Sequence, residues 1–241
     1  MARRFPKFTA CLAALLAAGL VLLSGCGSTH RTQESQAPQA ALDQDLTFFR
    51  ELLDDAGSKL AVYSVALPQF AEQEGVAAGD INRFYQSELA VLQADCESWF
   101  GIVSGKNYSE TRTNVFTYRL LDAPEGFVSV ERLMTVNGTE GHYFTEFFSL
   151  VSGWQRSFAD LFNCNVKCET VLRERVRSWC LEASVPCDNL DGMTLGSLTA
   201  SFLIDGETLR LYYDHQSLSV QQDQAVVVEI PMEKLEDFLL N

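Results

Sequence analysis

The chain has 241 residues, 47% hydrophobic and 11% aromatic, with 18 Lys and Arg against 32 Asp and Glu for a net charge of −14. So acidic a surface repels nucleic-acid phosphates and anionic headgroups, which argues against nucleic-acid binding and favours a cationic partner. The apolar content supplies a sizeable core, and the length allows one large or two small domains.

Arg3, Arg4 and Lys7 precede a run from Leu12 to Leu23 that is apolar throughout, with Gly19 as its one soft spot. The run falls short of the about 20 residues a bilayer span needs. A basic start, a short apolar stretch and a small-residue exit are the layout of a secretory signal. Residues 1–25 hold no Asp or Glu to partner the arginines, which argues against a buried helix. The exit, Leu23-Ser24-Gly25-Cys26, resembles the lipobox of bacterial lipoproteins. That resemblance implies cleavage before Cys26, a diacylglycerol on its thiol, and an anchor in the cell membrane facing outward. A plain signal peptide with a chance cysteine is the alternative. Each buried acyl CH₂ contributes about 0.8 kcal/mol, so two or three chains hold a soluble domain at the surface. Cleavage removes three positive charges and takes the net charge from −14 to −17. Residues 26–44, rich in Gln, Ser, Ala and Thr and without an aromatic, bury too little to offset ordering entropy and read as a flexible tether.

LTFFRELL (46–53) and LAVYSVAL (60–67) flank DDAGS. The second is β-branched and aromatic enough for a strand; the first fits helix or strand, and a hairpin favours strand. Over 80–103, Ile81, Phe84, Tyr85, Leu89, Leu92, Cys96, Trp99, Phe100 and Val103 fall on one stripe of a helix. Three strand-like runs follow at 114–121, 127–136 and 142–151, joined by DAPEG and NGTEG. Asn137-Gly138 is a strong hairpin signal. The spacing predicts a meander with one face on the helix and the other free to stay wet. A second helix is predicted at 165–183 with Cys168, Leu172, Val176, Trp179, Cys180 and Ala183 inward. LGSLTASFLI (195–204), TLRLYY (208–213) and AVVVEI (225–230) read as strands, and Pro231 opens a short closing helix. Neighbouring strands pair and helices cover one side, so the fold class is α+β. Two consecutive small domains are expected, 45–151 and 152–241, each an antiparallel sheet covered by a helix.

With Cys11 in the signal and Cys26 lipidated, five cysteines remain: Cys96, Cys164, Cys168, Cys180 and Cys187. Export permits disulfides, and an odd count leaves one thiol over. Cys180–Cys187 is a candidate local staple. Zinc is disfavoured because the usual Cys-x₂-Cys spacing is absent. Buried free cysteines are the alternative.

Short motifs along the mature chain resemble the extracellular two-domain region of lysozyme-responsive anti-sigma factors and the accessory region of some peptidoglycan deacetylases. In the first half they are Leu67-Pro68-Gln69-Phe70, Ile81-Asn82 and the meander to Val151. In the second they are Gly153, Asp160-Leu161-Phe162, the 165–183 helix, Phe202-Leu203-Ile204, and Ile230-Pro231 with Leu235, Phe238 and Leu239. The resemblance implies a binding or sensing module. The chain departs from it at Gly138-Thr139-Glu140-Gly141-His142, where the family has a Gly-Gly-Ala-His turn, and at 217–224, which lacks a Pro/Gly-rich loop. It also carries neither a deacetylase domain nor a sigma-binding segment.

Hydrolysis needs a nucleophile, a base and an orienting group within reach. The three histidines are His30, His142 and His215. No G-x-S-x-G, H-E-x-x-H or phosphate-cradling glycine loop occurs. In a strand, His142 and Glu146 stand about 13 Å apart, too far to share a metal. His142, Asp205, Asp214 and His215 near hairpin ends are the candidate ligand contacts; paired carboxylates there have the makings of acid–base chemistry, although turn-forming carboxylates are the commoner case. No catalytic residue, metal or cofactor is expected. The leading expectation is a membrane-anchored, non-catalytic binding or sensing module for a lysozyme-like cationic protein or cell-wall glycan. The alternative is a cell-wall hydrolase or esterase with a carboxylate-based site.

Overall fold

The computed structural model describes residues 39–106, 108–222 and 224–240. The signal segment, the lipobox with Cys26, His30 and most of the expected tether lie outside the described residues. Among residues expected to belong to the tether, the chain is already fastened at its end. Leu42 forms a β-bridge with Phe70, Asp43 N–H donates to the Gln69 carbonyl at 2.8 Å, and Ala40 packs on the first core.

In chain order the elements are β1 (Leu46–Leu53), β2 (Lys59–Leu67), α1 (Ala78–Ser104), β3 (Arg112–Leu121), β4 (Phe127–Val136) and β5 (Thr139–Ser149). Then come α2 (Val166–Ala183), α3 (Leu195–Leu198), β6 (Phe202–Asp205), β7 (Thr208–Tyr213) and β8 (Val226–Pro231). They make an α+β fold with a five-stranded sheet in the order β1-β2-β3-β4-β5 and a three-stranded sheet in the order β6-β7-β8.

The first sheet departs from the expected antiparallel arrangement at one place: β2 and β3 pair in parallel. The cause is the connection. A 27-residue helix, α1, lies between two adjacent strands, and such a crossover returns the chain to start the next strand from the same end. Elsewhere short turns enforce antiparallel pairing. Asp54 Oδ1 accepts the Ala56 and Ser58 N–H groups at 2.9 and 2.7 Å, closing β1 onto β2. Asn137 (φ 52°) and Gly138 (φ 79°) form a two-residue turn with both residues left-handed, the geometry that matches strand twist. The expected five-residue link therefore shrinks to two, and β5 starts at Thr139, not His142. The extra residue is absorbed by a bulge that breaks the β4–β5 register after Met134.

Strand periodicity sends Val128 and Val130 of β4 and Phe148 of β5 under α1, where they meet Tyr63, Ile81, Tyr85 and Phe100 in the first core. The opposite face, expected to stay wet, is covered. Phe147, 1% exposed beside Phe148 at 2%, belongs to a second core with Phe158, Leu172, Phe202 and Leu211. Ser129 Oγ donates to the Ile204 carbonyl at 2.7 Å across the same seam.

α2 covers the second sheet with Cys168, Leu172, Val176 and Cys180. Asn165 caps its start, with Oδ1 accepting the Cys168 N–H at 2.9 Å, and a left-handed Ser184 ends it. Two sequence expectations fail nearby. The first half of LGSLTASFLI is the helical turn α3, begun by Thr194, whose Oγ1 accepts the Ser197 N–H. Only residues from Phe202 onward pair as strand. The closing helix is instead two 3₁₀ turns, Met232–Lys234 and Glu236–Phe238. The chain end is held by tertiary contacts: Leu235 and Phe238 are buried, and Leu239 bridges Phe162. None of the described helices is long and apolar enough to cross a membrane.

Candidate functional site: an aromatic-floored cleft

The four candidate ligand contacts do not converge. His142 Nδ1 lies 3.2 Å from Asp214 Oδ1, both side chains about half exposed. Asp205 turns elsewhere: its Oδ1 accepts the Asp122 N–H at 3.1 Å, and its Oδ2 faces Arg210 at 3.2 Å. His215 sits exposed in the turn after β7. Glu146 is committed to Arg132, not to His142. Among the described residues neither imidazole has a hydroxyl or thiol in hydrogen-bond contact, and no group of three or more His, Cys, Asp or Glu could hold a metal ion.

A cleft of about 520 Å³ opens between β5, residues 155–159 and the 195–202 segment. Its placement follows from the turn after β5. Gly153 (φ +70°) reverses the chain against the start of α1. Gln155 then bridges Phe148, and Arg156 N–H donates to the Phe147 carbonyl at 2.7 Å. Ser157 N–H and Oγ both donate to Asp160 Oδ2 at 2.7 Å. Those two bonds hold the Asp160 carboxyl below its ordinary range and fix the 3₁₀ turn carrying Phe158. Phe147, Phe158 and Phe202 floor the cleft, with ring centroids 5.7 and 5.6 Å apart across Phe202. Thr145, Gln155, Arg156 and Thr199 supply polar groups along its walls. Next to them in the chain, Trp154 is 71% exposed. Apolar walls with a few placed polar groups are the usual make-up of a small-ligand site. A second hollow of about 910 Å³ is built on the β3–β4 turn, with Asp122 and Glu125 on its wall.

β4 carries opposite buried charges on its two faces. Glu131, facing the second sheet, accepts Arg119 Nε at 2.5 Å and the Tyr212 hydroxyl, with Arg210 Nη1 3.7 Å away. Burial, and then this bond, push the Tyr212 hydroxyl far above its ordinary value. Arg132, facing α1, donates through Nε to Glu146 Oε1 at 2.8 Å and through Nη2 to Glu88 Oε2 at 3.0 Å. Burial raises the Glu146 carboxyl, and Arg132 opposes the shift.

No protein-family model matches the sequence, and no curated protein does either. Solved structures do. A DUF3298 family member from Bacteroides fragilis NCTC 9343 aligns over 84% of this chain and 95% of its own at 13% identity, with a TM-score of 0.50. A DUF3298 family protein from Pseudomonas aeruginosa PAO1 aligns over 83% and 95% at 10% identity, with a TM-score of 0.56. The fold is that of DUF3298 proteins. At these identities the likeness concerns architecture alone.

Within the DUF3298 fold, the short motifs singled out in the sequence turn out to be paired devices. Leu67-Pro68-Gln69-Phe70 and Ile81-Asn82 meet: Asn82 Oδ1 accepts the Phe70 N–H at 2.8 Å and its Nδ2 donates to the Phe70 carbonyl at 2.9 Å. Asp160-Leu161-Phe162 meets the chain end, where Asn163 N–H donates to the Phe238 carbonyl at 2.6 Å and Leu240 N–H to Leu161 at 2.9 Å. The sequence reading missed the cleft and the two ionic pairs. The cleft's residues come from three separated segments, and Glu131 and Arg132 point to opposite faces of their strand, each toward partners distant in the chain. Residue type alone gave no signal for them; the structure buries Val128 to Arg132 on both faces of the strand.

Proposed function

We propose that the chain is a lipid-anchored, outward-facing and non-catalytic binding module of the cell envelope, whose ligand is a cell-wall glycan seated in the aromatic-floored cleft. The observation that carries this is the cleft itself; Trp154, exposed one residue before the Gln155 that lines it, offers a further stacking surface. Aromatic faces pack on the apolar side of sugar rings, while the Gln155, Arg156 and Thr199 side chains offer hydrogen bonds to hydroxyls. The lipobox resemblance at Cys26 supports the anchor. The motif resemblance to lysozyme-responsive anti-sigma factors and deacetylase accessory regions supports a role at the cell wall. It also favours a second partner class, a lysozyme-like cationic protein, to which the net charge of −17 after cleavage and the acidic hollow at Asp122 and Glu125 are suited. The hydrolase reading gains only the His142–Asp214 pair, a base and an orienting group lacking a nucleophile among the described residues.

The test is sedimentation of the full-length chain, in detergent, with purified peptidoglycan, alongside catalytically inactivated lysozyme as a cationic competitor. Trp154→Ala and the cleft-filling Gly196→Trp are expected to weaken glycan retention at least about tenfold, a loss of about 1.4 kcal/mol. Unchanged retention in both variants refutes the cleft as the site. Release of soluble muropeptides, abolished by His142→Ala, would establish the hydrolase instead.

A further inference from the structure

Each end of α2 carries two cysteines. At the N-terminal end Cys168 is buried in the first turn, while Cys164 is exposed and lines the cleft. At the C-terminal end the chain folds back. Left-handed Ser184 lets Val185 N–H donate to the Cys180 carbonyl at 2.9 Å, a bond that carries the following residues over the last helical turn. Cys187 arrives there packed on the same core as Cys180, near enough that each thiol feels the other's charge.

Alternatives for Cys187 are out of range. Cys168 and Cys180 are separated by about 18 Å along the helix at 1.5 Å per residue. Cys96 lies in the first core, under the other sheet. A disulfide needs Cα atoms about 4.4–6.8 Å apart, which leaves Cys180 as the one partner within reach among the described cysteines. The segment they would fasten matters to the second core. Leu190 N–H donates to the Cys187 carbonyl at 3.1 Å, and Asn189 N–H to the Leu218 carbonyl at 2.8 Å. Ser219 Oγ donates to Asp188 at 2.8 Å. The 187–190 turn thus links α2 to the loop between β7 and β8.

We propose that Cys180 and Cys187 form a disulfide in the exported protein, stapling α2 to that turn and leaving Cys96, Cys164 and Cys168 as thiols. The inference rests on the outward-facing reading, because a disulfide persists only in an oxidising compartment. Burial pushes the Cys180 thiol up to about 12, so the more accessible Cys187 reacts first. Its thiolate attacks an oxidant of the disulfide class, forming a mixed disulfide and expelling one thiolate of the oxidant. Cys180, losing its proton to solvent, then attacks the Cys187 sulfur and expels the second. Two thiol protons and two electrons leave the protein, and the oxidant ends as two thiols.

Two arms separate the geometry from the location. In the first, the purified full-length chain is reduced, exchanged into oxidised glutathione, denatured, alkylated and mapped without reduction. The expected product is one peptide pair bridged Cys180–Cys187, absent from Cys187→Ser, with Cys96, Cys164 and Cys168 alkylated or carrying glutathione. An alkylated Cys187, or Cys187 bridged elsewhere, overturns the proposal. In the second arm, cells are quenched in acid before alkylation. The bridge is expected there too; its formation in the purified chain but not in cells overturns the outward location on which it rests.

Discussion

Replacing Gly153 by Ala tests whether the turn after β5 is a fixed docking point between the first sheet and α1. Two costs add. The residue sits at φ +70°, where an L side chain loses about 1–2 kcal/mol. A Cβ built there lies 2.6 Å from Asp80 Cβ and 3.1 Å from both the Ala77 Cβ and the Ala77 carbonyl oxygen. These neighbours are helix-start atoms, not flexible side-chain tips, and α1 is anchored locally by the Ala77 N–H to Leu150 carbonyl bond at 2.7 Å. Overpacking against such a wall costs about 1–3 kcal/mol. The expected loss is therefore about 2–5 kcal/mol, a large share of the 5–15 kcal/mol that holds a typical domain together. Urea unfolding followed by tryptophan fluorescence reads it, with an unchanged m-value. Asp80→Gly removes the 2.6 Å contact but not the backbone strain or the Ala77 contacts, so the double variant should recover about 1 kcal/mol relative to additivity. A loss below about 1 kcal/mol in Gly153→Ala would show that the turn moves aside, and would refute the docking argument.

Asn82→Ala strands the buried N–H and carbonyl of Phe70 and should cost about 2–4 kcal/mol in the same assay; a neutral result would mean water replaces the side chain. Glu131→Gln weakens the bonds from Arg119 and the Tyr212 hydroxyl, while Arg210 keeps Asp205 and Glu229, with an expected loss of about 1–3 kcal/mol. Glu131→Gln together with Arg210→Met should lose less than the sum of the two single variants, and strictly additive losses would sink the idea of a coupled cluster. The Glu146 carboxyl is raised in the folded chain, so the folded state keeps its proton to higher pH than the unfolded state. Stability on its account falls as pH rises from the ordinary carboxylate range through the raised value. Chemical denaturation across that window should show this slope in the wild type and a flatter curve in Glu146→Gln.

Local chemistry made much of the fold readable. The helix stripe at 80–103, the 165–183 helix and the Asn137-Gly138 turn all depend on neighbours in the chain, and each lies where its residues put it. What escaped depends on distant partners. The parallel pairing of β2 and β3 is a consequence of where α1 delivers the chain, which periodicity does not encode. LGSL carries enough apolar character for a strand, yet Thr194 offers a helix cap and the tertiary fold uses it. The closing segment has a helical pattern but forms two tight turns, which bury Leu235 and Phe238 in the second core while Leu239 bridges Phe162. For the candidate site, the two histidines and two carboxylates chosen by residue type proved to be a surface pair, a strand-end residue and a turn residue. The cleft is made of phenylalanines that any core would contain, so its position became visible only once β5, the Gly153 turn and α3 stood together.

The opposite charges on β4 carry a consequence for how the sheet forms. Were the strand to slip by one residue, Arg132 would swing toward Arg119 and Arg210, while Glu131 would enter the company of Glu88 and Glu146. Both sides of the sheet would then bury like charges at once, a far steeper penalty than misplaced valines or leucines impose. The dipeptide thus acts as a proofreader of alignment, rejecting shifted pairings before the two cores can close around them.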